Sequence, residues 1–193
     1  NNKLVIDGVE YQYAVAVKDI AALEAALEGD APIVVTNTIE VAAGEELVVD
    51  FNNKAVKTAA VNAFKVPTGA KLTLKNGDVT SHGSIASAQG GEVVIESGKY
   101  VQTGTAKDSS APTYRYGIDA REGGKITING GEFESSNGIL NVNAGCELVI
   151  NGGKFTNDVK KSMTRHFAYV SGKLTINDGE FYGVANSAAG GCF

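Results

Sequence analysis

The sequence predicts an all-β fold: a solenoid of about six to seven rungs, each built from three short strands and closed at its N-terminal end by a hairpin and an amphipathic helix. Three observations predict it. An apolar, β-branched, apolar triplet recurs along the chain. A glycine turn and then an apolar or aromatic residue follow it at a constant distance. The segment before the first copy has a helical period.

The triplets are Leu47-Val48-Val49, Leu72-Thr73-Leu74, Val93-Val94-Ile95, Ile126-Thr127-Ile128, Leu148-Val149-Ile150 and Leu174-Thr175-Ile176. Their outer members point into a core and the middle member points out, the period-two pattern of a strand. Seven residues after the first member stand Val79, Tyr100, Phe133, Phe155 and Phe181, each preceded by a turn at Gly77, Gly98, Gly131, Gly153 or Gly179. Eight residues before the triplet stand Ile39, Phe64, Ile85, Ile118 and Leu140, with Val41, Val66, Ser87, Ala120 and Val142 two residues on; the sixth copy has Ala168 and Val170 and a shortened turn.

Triplet-to-triplet spacings are 25, 21, 33, 22 and 26 residues. The extra residues gather at one place, between the third strand of one rung and the first strand of the next. Insertions confined to one corner are the mark of a coil of rungs. A β-sandwich of hairpins also uses such turns, but does not require one phrase to recur in fixed columns.

On these residues, above all Gly123–Phe133 with its near copies Gly145–Phe155 and Gly172–Phe181, the chain resembles the right-handed parallel β-helix, pectate-lyase-like superfamily over about residues 33–193. The resemblance implies a right-handed parallel β-helix. It says little about activity, because that superfamily holds lyases, hydrolases, adhesins, and phage fibres and tailspikes.

Residues 1–32 are expected to form an N-terminal cap. Residues 3–17 read as a hairpin about Asp7-Gly8. Residues 18–30 read as a helix with Asp19 as N-cap, Ile20, Leu23, Ala26 and Leu27 on one face, and Gly29 as the stop. Such a helix covers the bare first rung of a solenoid. At the other end, residues 185–193 match residues 85–93 column for column and stop at Phe193, part-way through a seventh rung; this reads as a piece of a longer chain, or as an end that a partner covers.

The 193 residues carry a net charge of −5, which argues against nucleic acid and anionic membrane as partners, and no apolar run is long enough for membrane insertion by a helix. Cys146 and Cys192 make neither a disulfide framework nor a metal quartet, and read as free thiols. No metal site and no cofactor are expected.

Enzymes on this fold need paired carboxylates on neighbouring rungs. Asp119 is the best single candidate, with Ala86 and Asn141 as its expected column neighbours. Asp78, Lys99, Glu132, Lys154 and Glu180 share a column of alternating sign, which reads as cross-rung surface pairing. No catalytic residue is assigned.

The two longest insertions, 101–117 and 156–167, are the expected ligand-binding loops. With the adjacent strand they offer Tyr114, Arg115, Tyr116, Asp119, Arg121, Lys160, Lys161, Arg165 and His166. His82 falls in a short exposed turn. The outward column Val48, Thr73, Val94, Thr127, Val149 and Thr175 is a candidate self-association face. Asn129, Asn151 and Asn177 are expected to form a hydrogen-bonded ladder beside it.

The functional expectation is a rigid, non-catalytic module of an extracellular, cell-surface or virion-surface structure, such as a phage fibre, a decoration protein or an adhesin. It binds a surface glycan or a protein receptor through its corner loops, and is either a homotrimer or part of a longer chain. The alternative is a fragment of a carbohydrate-active enzyme, a polysaccharide lyase or glycoside hydrolase.

Overall fold

The computed structural model describes residues 3–6, 9–12, 14–58, 60–104, 116–136, 138–158 and 167–184. Lys3–Ile6 and Val9–Gln12 pair antiparallel with Ile6 opposite Val9, the register of the expected hairpin. Val15–Val17, read with the hairpin in the sequence, instead pairs in parallel with Ile33–Val35 and so belongs to the coil. Between them lies the helix Ile20–Glu28. Asp19 stands in extended conformation and its Oδ1 accepts the Ala22 N–H at 2.9 Å; at the other end the Gly29 N–H donates to the Ala26 carbonyl. Leu23 and Ala26 are buried in the solenoid core, with Ile20 and Leu27 packed on its margin. The Lys54 ammonium donates to the carbonyls of Leu27 and Gly29, which the end of a helix leaves without intrahelical partners.

Three parallel sheets run the length of the coil, of eight, six and six strands. The chain is an all-β parallel solenoid of about six turns. The eight-stranded sheet, here the aromatic sheet, comprises Val15–Val17, Ile33–Val35, Ala55–Thr58, Gly77–Ser81, Gly98–Gln102, Glu132–Ser135, Lys154–Asp158 and Glu180–Val184. The entry sheet, at whose first residues the long insertions re-enter, comprises Ile39–Glu40, Asn62–Pro67, Ser84–Gln89, Tyr116–Arg121, Gly138–Val142 and Ala168–Val170. The triplet sheet comprises Glu46–Asp50, Lys71–Lys75, Glu92–Ile95, Lys125–Ile128, Glu147–Ile150 and Lys173–Ile176.

The inward columns match the sequence pattern. Tyr100, Phe133, Phe155 and Phe181 stack with centroid separations of 5.3, 4.8 and 4.9 Å. Val79 precedes them in register, and the first rung supplies Val56. That residue comes two positions later than the column rule requires, because Asn52 and Asn53 both take left-handed conformations (φ 49° and 59°) in a longer corner.

One inward column corrects the sequence reading. In the third rung Ala86 and Ala88, not Ile85 and Ser87, stand opposite Phe64 and Val66 and opposite Ile118 and Ala120. The corner that follows is one residue shorter there, closed by Gly90 (φ 85°) and Gly91. A slip of one residue turns a side chain to the opposite face. Ser87, rather than Ala86, is therefore the neighbour of Asp119.

The outward face of the triplet sheet carries three in-register columns. The first reads Glu46, Lys71, Glu92, Lys125, Glu147, Lys173 and alternates in sign without interruption. The second reads Val48, Thr73, Val94, Thr127, Val149, Thr175. The third continues from Asp50 and Lys75 through Glu96 to Asn129, Asn151 and Asn177. There each asparagine Nδ2 donates to the residue one rung below: Asn177 to Asn151 at 2.7 Å, Asn151 to Asn129 at 2.8 Å, Asn129 to Glu96 at 3.0 Å. The expected ladder is present. So is the alternating column Asp78, Lys99, Glu132, Lys154, Glu180 on the aromatic sheet.

Candidate functional site

Asp119 lies between Ile118 and Ala120, both fully buried in the core, so its side chain points to the outer face of the entry sheet. It is nonetheless only 3% exposed. A carboxylate so placed needs partners. Asp119 has two: the Arg121 Nε donates to its Oδ2 at 2.6 Å, and the Asn141 Nδ2 donates to its Oδ1 at 2.5 Å. Arg121 stands two residues along the same strand and Asn141 directly opposite on the next, so strand period and rung register together assemble the cluster.

The same outer column extends the cluster in both directions. On one side stands Ser87, fully buried, whose Oγ accepts from the Gln89 Nε2 at 3.2 Å; Gln89 in turn lies opposite Arg121. Beyond Ser87 the column continues to Lys65 and Glu40, an exposed ion pair at 3.0 Å. On the other side Tyr169 stands opposite Asn141 and is 50% exposed. From Ser87 to Tyr169 the polar strip crosses four adjacent strands, roughly 14 Å at the usual strand spacing.

The cluster can hold and orient polar ligand groups. The Asp119 carboxylate fixes the guanidinium through Nε and leaves its Nη edge as the means of meeting a ligand oxygen. Gln89 adds a partly buried planar amide at one end of the strip, and Tyr169 an exposed aromatic face at the other, next to the buried Asn141. An exposed aromatic ring on the same face as a guanidinium suits sugars, whose rings have an apolar face and a hydroxyl rim. Among the described residues no group of three or more His, Cys, Asp and Glu side chains is placed to hold a metal ion.

Of the residues singled out in the sequence, the structure brings Asp119 and Arg121 together on this face. Tyr116 begins the same strand, buried, opposite Gly138. Tyr114, Arg115, Lys160, Lys161, Arg165 and His166 lie outside the described residues, as do Cys192 and the repeat-like segment 185–193. The insertions are shorter than read: Val101 and Gln102 belong to a strand of the aromatic sheet, Tyr116 and Gly117 to the entry sheet, and Thr156 to Asp158 to another aromatic-sheet strand. Cys146 is a buried free thiol, and His82 is exposed in the turn between two strands.

Ser87, Gln89 and Tyr169 were missed. The signal for Tyr169 was available, since it follows the inward-facing Ala168 as Asp119 follows Ile118. Ser87 was hidden by the register error of the third rung. A second polar column was missed altogether. Thr58, Ser81, Gln102, Ser135 and Asn157 are buried in register at the corner where the insertions leave the aromatic sheet. Gln102 ties that corner together: its Nε2 donates to the carbonyls of His82 and Gly104, and its Oε1 accepts from the Ser135 hydroxyl at 2.7 Å.

No protein-family model, no curated protein and no solved structure matches this chain.

Proposed function

We propose that this chain is a rigid, non-catalytic recognition module of an extracellular or virion-surface structure, of the pectate-lyase-like β-helix type, and that it binds a surface glycan across the outer face of the entry sheet. The observation that carries the reading is the buried Asp119 with both carboxylate oxygens engaged, on the same outer face as the exposed ring of Tyr169 two strands away. A carboxylate held in this way is a fixed element that orients Arg121 and Asn141, whereas a general acid or base needs an oxygen directed at its substrate. The rung pattern of inward apolar pairs and glycine corners supports the family reading, and the stacked sheets give the rigidity that presentation of a site requires.

Binding to an array of neutral and acidic glycans tests the reading. The wild-type chain is expected to retain a restricted set of sugars. Tyr169→Ala is expected to weaken that binding by about tenfold, the scale of a lost aromatic contact, with an unchanged melting temperature. A second reading, a fragment of a polysaccharide lyase or glycoside hydrolase, is favoured only by the presence of a buried carboxylate on an outer face. Release of new reducing ends or unsaturated sugars from a retained glycan, lost in Asp119→Asn, would establish it instead.

A further inference from the structure

We propose that the outer face of the triplet sheet docks a second copy of this chain in antiparallel orientation, with the two-fold axis along the strands. The face is distinct from the entry sheet, and this inference does not depend on glycan binding.

What calls for explanation is the common phase of the three columns. Within one column, alternating charges pair between neighbouring rungs, as Lys173 does with Glu147 at 3.5 Å. Such exposed pairs contribute little, and they place no demand on the next column. Yet over the first three rungs the first and third columns alternate together. The first rung presents Glu46 and Asp50, the second Lys71 and Lys75, the third Glu92 and Glu96, and Val alternates with Thr between them in the same phase. On these three rungs the result is a set of stripes of opposite sign running along the strands; on the other three the third column is Asn129, Asn151 and Asn177, and the first column alone carries the alternation, from Glu46 to Lys173 across the whole sheet.

Such stripes are self-complementary in one orientation. A two-fold axis along the strands lays the first column on itself with the rungs in reverse order. Glu46 then faces Lys173, Lys71 faces Glu147, and Glu92 faces Lys125, each contact occurring twice. In the middle column every valine faces a threonine. An axis parallel to the coil does the opposite: it sets equal rungs face to face, with the first column on the third, so that Glu46 meets Asp50 and Lys71 meets Lys75. Like charges then oppose on the first three rungs, and on the last three a charge meets a neutral asparagine, so attraction is lost throughout and repulsion is added, which costs affinity. A threefold bundle whose contact is this face brings equal rungs together in the same way, so the stripes speak against a homotrimer built through it.

Three columns on six strands give a footprint of roughly 500 Å² per copy from ordinary strand and residue spacings. That is below the roughly 800 Å² per partner of a standard stable interface, so the pair is expected to be weak, reversible and weakened by salt.

Sedimentation equilibrium on the whole chain at low and high salt tests the inference. The expected result is a salt-sensitive dimer. Glu46→Lys and Lys173→Glu should each weaken it by about tenfold or more, because each turns two attractive contacts into repulsive ones. The double variant should recover dimerisation, and an equimolar mixture of the two single variants should form a hetero-dimer while neither dimerises well alone. The two positions lie on the first and sixth rungs, so no contact within one chain can produce that rescue. Melting curves of each variant separate loss of folding from loss of docking. A chain that stays monomeric at low salt, a mass of three copies, or a double variant as weak as the single ones overturns the inference.

Discussion

Phe133 and Phe155 lie one rung apart with their rings 4.8 Å between centroids and 7° from parallel, and Phe155 stacks in turn on Phe181 at 4.9 Å. Phe155 is fully buried between them. Truncation to alanine leaves a ring-sized cavity and removes two stacking partners at once. Phe155→Ala is expected to cost about 3–5 kcal/mol, read as a fall in melting temperature of about 10 °C for a chain of this size. Phe155→Leu, which refills most of the space, should cost less than half of that. A loss below about 1 kcal/mol for the alanine variant would show that the stack does not support the rung.

Two positive-φ glycines face very different surroundings. Gly98 has φ 124°, and a Cβ there would lie 2.3 Å from the Gly77 nitrogen of the preceding rung. Gly145 has φ 79° and open space where a Cβ would go. Gly145→Ala should cost only the left-handed strain, about 1–2 kcal/mol. Gly98→Ala must hold a conformation further from the left-handed helical region and also force two backbones apart, and should cost clearly more, or prevent folding. Urea denaturation of both variants decides it; equal costs would mean that the rungs can separate at that corner.

Tyr100 makes stability depend on alkaline pH. Its buried hydroxyl donates to the Ser97 carbonyl at 2.9 Å, and burial, opposed by a bond from the Gly77 backbone and reinforced by the charge of Asp50, raises its ionisation well above the ordinary phenol range. The folded state therefore holds this proton after the unfolded chain has lost it. The contribution is complete below about pH 10, the unfolded value, and declines as pH rises further. Tyr100→Phe removes that decline while keeping the stack on Phe133. Denaturation curves at stepped alkaline pH should show a steeper loss for the wild type than for the variant; parallel curves would contradict the assignment.

The rungs were legible in the sequence because each one must offer the next the same shape. Period-two alternation marked the triplet strands, and the fixed interval from Ile126 to Phe133 or from Leu148 to Phe155 set the aromatic column. The helix was legible from the Asp19 cap and the spacing of Ile20, Leu23 and Leu27. Where a corner changed length, counting failed: the short Gly90-Gly91 corner shifted Ile85 and Ser87 out of their assigned columns, and Asn52 and Asn53 displaced Val56. The Asp119 cluster was half legible for the same reason. Arg121 and Asn141 follow from strand period and rung register, but Ser87 required the correct corner. The burial of Asp119 on an outer face is a property of the folded surface that no spacing rule contains.

The uninterrupted alternation from Glu46 to Lys173 also constrains how this chain can lengthen or shorten. Removing or duplicating one internal rung would set two acidic or two basic residues side by side in that column and break the pattern there. Removing or duplicating two rungs together leaves it intact. Inside the solenoid the unit that can be inserted or removed without disturbing the charges is therefore a pair of rungs, about twice the length that the strand repeat suggests.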